Sequence, residues 1–161
     1  YSDVDLNDPN FANTPYDPMV AYGRSKTANI LFAVEFDRRH KEKGVRATAI
    51  HPGGIATELA RHMQPGEIDE LLKQINAQAA AAGRPPIQWK TVPQGAATTV
   101  WAGFVAPADE IGAKYCEDCH VASVTDGKMD IVSGGVRAYA LDPERAKALW
   151  ARSEEMVGER F

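Results

Sequence analysis

Residues 20–43 run without a proline and with a single glycine, Gly23. Apolar residues recur there at helical spacing on more than one stripe, with Ala28, Leu31 and Val34 on one and Ile30, Ala33 and Val34 on another. This pattern predicts a helix of about 24 residues covered on two sides, with either its own fold or a second subunit over the second face. A charged turn at residues 38–43 and then Gly44 supply a stop signal. The stretch that follows, VRATAI (45–50), is short and rich in β-branched and small residues, and Pro52-Gly53 lies just beyond it. It reads as a buried parallel strand. A long helix followed at once by such a strand points to an α/β fold.

The rest of the chain extends that reading. Residues 1–19 are rich in Asn, Asp and Pro and read as loop. Helices are predicted over 67–82, closed by Gly83 and Pro85-Pro86, and over 93–105, with Pro93 in the first turn. AKYCEDCHVA (113–122) reads as a short strand followed by a loop, and SGGV as a turn. A last helix over 142–159 opens on Asp142-Pro143. Two strands are too few for a stable sheet, and a parallel pair needs cover on both faces. The expectation is therefore one partial domain, residues 1–161, forming the carboxyl-terminal half of a larger sheet. A first residue other than Met, Tyr1, agrees with a piece of a longer polypeptide.

Composition narrows the partners. The chain is 44% hydrophobic and 25% charged, as globular domains are, with a net charge of -4. That balance argues against nucleic acid or an anionic membrane surface as the main partner. No apolar run approaches the ~20 residues of a membrane span. No secretory signal opens the chain, and the two cysteines, Cys116 and Cys119, are too few for a disulfide scaffold. A cytoplasmic setting is expected.

Chemistry concentrates in two places. Tyr22 and Lys26 stand four residues apart on the predicted long helix, so both side chains share one face. A free phenol is a poor proton donor at neutral pH, and an adjoining ammonium favours its ionised form. A phenol tuned in this way gives or takes a proton at a carbonyl or alcohol oxygen. The strand then runs into His51, Pro52, Gly53, Gly54, Ile55, Ala56 and Thr57. Ligands of open parallel sheets bind at the carboxyl ends of strands, and two glycines allow close approach of a flat ring to the backbone. Thr57 suits either a hydrogen bond to an amide or phosphate, or the N-cap of a following helix.

A competing signal is Cys116-Glu117-Asp118-Cys119-His120, the spacing of c-type haem attachment, with Met129 or Met156 as candidate second ligands. A zinc site needs further ligands. A redox dithiol lacks a helix N-terminus to favour the thiolate. Two ordinary reduced cysteines near a strand end are the plainer reading, and no metal is expected.

AYGRSK followed by VRATAIHPGGIATEL resembles the carboxyl-terminal half of a short-chain dehydrogenase/reductase, in the branch of retinol dehydrogenases, the WW-domain oxidoreductase and protochlorophyllide reductase. DLNDPNF, YDPMVAYGRSKTANILFAVEF, GAATTVWAGFVAP, IGAKYCEDC and LDPERAKALW carry the likeness over nearly the whole chain. The resemblance implies a Rossmann-like, doubly wound parallel sheet with flanking helices. It implies hydride transfer between NAD or NADP, the choice undetermined, and an alcohol or carbonyl substrate. Tyr22 would be the general acid/base, and Lys26 would assist it and hold the nicotinamide ribose. Pro52, Gly53, Gly54, Ile55 and Thr57 would hold the nicotinamide end. Residues 58–92 would form the substrate lid, with Leu59, His62 and Met63 as candidate substrate contacts. Its apolar residues suit either a bulky apolar substrate or packing on the core.

The family's Gly-rich pyrophosphate turn, its serine shortly before the tyrosine and its upstream proton-relaying asparagine have no counterparts here. The amino-terminal dinucleotide-binding half is thus expected to be absent, and the chain alone to be inactive. A truncated remnant acting as a binding module is the alternative. The long helix is the candidate contact for a homo-oligomer.

Overall fold

The computed structural model describes residues 2–55, 57, 66–126 and 134–161. The long helix α1 spans Pro18–His40. It starts two residues before the predicted point because Asp17 caps it, accepting from the backbone N–H groups of Met19 at 2.8 Å and Val20 at 2.9 Å, while Pro18 occupies the first turn. Residues 41–43 tighten into a 3-10 turn that ends at Gly44, whose φ of +75° is the left-handed stop the sequence suggests.

Strand β1 is shorter than expected, Ala49–His51. The preceding residues are held by one backbone bond, from the Ala113 N–H to the Ala47 carbonyl at 2.8 Å, and by side chains. Asp37 accepts from the backbone N–H of Ala47 at 2.9 Å, and Thr48 Oγ1 donates to the carbonyl of Lys114 at 2.9 Å. β1 pairs in parallel with β2 (Tyr115–Glu117), Ala49 facing Tyr115 and His51 facing Glu117. β2 then turns through Asp118 and Cys119 into an antiparallel β3, His120–Val121. The sequence reading had loop where β3 lies. The order is β1-β2-β3, so among the described residues β1 is an edge strand. Ala49 and Ile50 are half-buried, not buried as predicted.

Helix α2, Glu67–Ala81, and helix α3, Val92–Phe104, match prediction closely. Thr91 and Gln94 form a reciprocal capping box at the start of α3. A short α4, Ala108–Ile111, was not foreseen. The last helix, α5, spans Pro143–Val157, with Asp142 accepting from Glu144 N–H at 2.8 Å and Arg145 N–H at 3.3 Å.

The two-faced character of α1 is explained by what it touches. Leu31 and Val34 pack on Ala146 and Leu149 of α5 and on Val4. Ile30 leans on a second cluster of Ala122, Val136 and Ala140. Toward its carboxyl end, Phe32 stacks on Trp150 with centroids 5.6 Å apart, and Arg39 lies over the same indole at 4.4 Å. Both faces are thus used within the chain. The architecture is mixed α/β, with a small three-stranded sheet and five α-helices among the described residues, as a partial Rossmann-like fold would show. No helix among the described residues is long and apolar enough to cross a membrane.

Candidate active site

Helix α1 carries Tyr22 and Lys26 one turn apart, and the ammonium of Lys26 lies 5.1 Å from the centroid of the Tyr22 ring. Tyr22 keeps 52% of its surface exposed. Among the described residues no hydrogen bond or ion pair engages either polar group. Both therefore stand available to a ligand. The neighbouring Ser25 does not: its hydroxyl donates to the Tyr22 carbonyl at 2.7 Å.

Opposite that face, β1 ends at His51 and the chain passes into Pro52 and Gly53, the latter with φ +89°. Tyr22, Lys26, His51, Pro52, Gly53, Ile55 and Thr57 line one cavity of about 1080 Å³. Gly54 is not part of its wall. A Cβ there would lie 2.9 Å from the Trp89 ring. The absence of a side chain at 54 thus makes room for an indole of the chain itself. At Gly53 the φ of +89° itself favours glycine, and the flexible end of Lys90 also lies close, its Nζ 2.6 Å from a built Cβ. Leu59, His62, Met63 and Ala56 lie outside the described residues.

The cavity also takes in Asn29, Thr99 and Arg137, which the sequence reading did not single out. Asn29 follows Lys26 by three positions on α1, so helical spacing carried that signal. Thr99 on α3 and Arg137 come together with α1 only through the fold.

The Cys116–His120 segment does not present its two thiols together. Cys116 is fully buried, with Thr48 Oγ1 3.4 Å from its sulfur, whereas Cys119 is exposed in the β2–β3 turn. Burial pushes the Cys116 thiol up from its usual value, opposed by the Thr48 contact. Thioether attachment to a haem edge needs both sulfurs accessible, which this arrangement denies. Among the described residues no three His, Cys, Asp or Glu side chains group as a metal site.

These features belong with a known class of proteins. No protein-family model matches the chain. It is 42% identical over 148 residues to a "Probable oxidoreductase" of Streptomyces lividans, covering 91% of this chain and 48% of that protein. It is 38% identical to "Short-chain dehydrogenase/reductase prx1" of Penicillium roqueforti, covering 88% of this chain and 39% of that one. It is 32% identical to "Short-chain dehydrogenase TIC 32 A, chloroplastic" of Brassica napus, covering 94% and 40%. An uncharacterised protein of known crystal structure from Mycobacterium paratuberculosis superposes with a TM-score of 0.55 at 27% identity, over 99% of this chain and 47% of that one. The first three of these relatives carry oxidoreductase or short-chain dehydrogenase names. Over most of its length the chain belongs with the short-chain dehydrogenases/reductases, and it spans about half the length of the curated relatives it matches.

Proposed function

We propose that the protein to which this chain belongs is an NAD(P)-dependent oxidoreductase acting on an alcohol or carbonyl. The observation that carries this reading is the juxtaposition of Tyr22 and Lys26 with Pro52, Gly53, Ile55 and Thr57 around one cavity. The donor set suits the nicotinamide end of a dinucleotide. Lys26 offers an ammonium to vicinal hydroxyls, and Thr57 lies on the wall with a hydroxyl suited to a carboxamide. When bound there, the dinucleotide supplies or accepts the hydride. Tyr22 gives or takes the proton at the substrate oxygen, with the Lys26 ammonium 5.1 Å from its ring centroid.

In this reading β1 and β2 are the last strands of a doubly wound sheet, and a preceding half supplies the Gly-rich turn for the pyrophosphate. Residues 58–92 act as the substrate lid over a bulky apolar alcohol or carbonyl. The compartment is the cytoplasm, although one relative is named chloroplastic. The choice between NAD and NADP belongs to the preceding half.

The test is Tyr22→Phe in the complete polypeptide. Turnover should fall by roughly 10²–10⁴-fold, the worth of one positioned acid/base, while dinucleotide affinity is kept. Turnover near that of the unsubstituted protein removes Tyr22 from the role.

The edge of β1, unpaired among the described residues, favours a second reading, a non-catalytic module that accepts a partner strand. The mass of the native polypeptide separates the two. A mass near 17.5 kDa supports the module, and about twice that supports the enzyme.

A further inference from the structure

The loop after β1 is held from outside the strand that leads into it. The backbone N–H of Lys90 donates to the Gly54 carbonyl at 2.8 Å, and Ile55 and Lys90 form an isolated parallel bridge. The Lys90 side chain then crosses the loop. Its ammonium donates to the Pro52 carbonyl at 3.3 Å and pairs with the Asp118 carboxylate. Asp118 is itself fixed. It sits in the tight β2–β3 turn, where Asp118 and Cys119 have φ of +46° and +59°. The buried hydroxyl of Thr98 on α3 accepts from the Cys119 N–H at 3.3 Å and anchors that turn. A continuous chain of contacts thus runs from α3 through the hairpin turn to Asp118, Lys90 and the Pro52 carbonyl. Neither Lys90 nor Asp118 is among the residues that line the cavity, whereas Pro52, Gly53 and Ile55, which Lys90 holds, are.

We propose that Lys90, steered by Asp118, is a positioning residue that sets the backbone of residues 52–55 for the nicotinamide end of the dinucleotide. The inference rests on the oxidoreductase reading above. Its physical basis is pre-organisation: a loop fixed before the ligand arrives loses less freedom on binding. The ammonium supplies a charge-assisted hydrogen bond to a carbonyl, and a carboxylate on a rigid turn keeps it aimed. Gly53 and Gly54 are the complement of this clamp, since any side chain at either position would displace Lys90 or Trp89.

The test uses the complete polypeptide, with NADH and NADPH each titrated by fluorescence and steady-state kinetics run in parallel. Lys90→Met and Asp118→Asn should each weaken binding of the preferred dinucleotide about 10-fold, the scale of one charge-assisted hydrogen bond. The KM for dinucleotide should rise by the same factor and kcat should change less. The double variant should bind no more weakly than Lys90→Met, because both act through one contact. Lys90→Arg, which keeps a donor, should stay within about 2-fold of the parent. Unchanged affinity in both Lys90→Met and Asp118→Asn overturns the proposal, and so does a loss in Lys90→Arg as large as in Lys90→Met. Failure of the unsubstituted polypeptide to bind either dinucleotide overturns the oxidoreductase reading and this inference with it. That outcome is recognisable because it precedes any substitution.

Discussion

Glu35 has no exposed side-chain surface, yet it stays charged because α1 brings guanidinium groups to it. Nε and Nη2 of Arg38 and Nε of Arg39 each donate at 2.7 Å. The Arg38 hydrogen bonds, working against burial and joined by Arg39, hold its carboxyl below the ordinary value. At Asp37 burial pulls upward, but the hydrogen bonds from Arg46 and Ala47 outweigh it and the net shift is again downward. A carboxyl whose folded value lies below its unfolded one is protonated more readily in the unfolded chain. Its contribution is therefore full above the unfolded value, about 4, and is lost as pH falls through the folded one. The melting temperature should drop as pH is lowered from about 6 to about 3. Glu35→Gln should cost about 2 kcal/mol at neutral pH and flatten the acid slope. Melts of both proteins across that range check it, and an unchanged slope in the variant would remove Glu35 from the account.

Among the elements, the β2–β3 hairpin carries a local cost. A two-residue turn with positive φ at both positions normally uses Asn-Gly, and here it uses Asp118-Cys119. A non-glycine residue in the left-handed region costs about 1–2 kcal/mol. Cys119→Gly should therefore raise stability by about 1 kcal/mol, less than the full strain because glycine also enlarges the unfolded ensemble. A higher denaturant midpoint is the expected result, and a lower one contradicts the strain. The same turn shows why β3 escaped the sequence. Its residues give no glycine signal, and a two-residue strand has no periodicity to read. The helices were legible from apolar spacing and from the signals at Gly44, Gly83, Pro93 and Asp142-Pro143, whereas the Asp17 cap lies in a stretch whose composition reads as loop. Tyr22 and Lys26 were legible for the same reason, being one helical turn apart. Lys90 and Asp118 are separated by 28 positions and meet only across the loop between them, and no spacing rule ties such a pair to Pro52. At glycines 53 and 54 the side chains of Lys90 and Trp89 come close, contacts that no local spacing announces.

Taken together, the described residues leave a sheet edge unpaired and an apolar wall facing a cavity. β1 has β2 on one side alone among the described residues. The cavity beside it, about 1080 Å³, is walled in part by Ile30, Phe32, Ala33, Ile50 and Ile111. Such a volume is large for a small ligand and large also beside the voids of a packed domain. Phe32 remains 52% exposed and Phe104 89%. Apolar area left in water and an unpaired strand edge both favour association. The 161-residue chain on its own should bind an apolar dye such as anilinonaphthalene sulfonate, and its mass by light scattering should rise with concentration. A longer polypeptide that continues the sheet past β1 should cover the same wall, and the dye signal and the concentration dependence should both fall. Because covering the edge of β1 and completing the cavity are one event in this reading, dye release and the appearance of dinucleotide binding should go together. A chain that stays monomeric and binds no dye by itself would mean that the wall is already closed, and the sheet would then need no continuation.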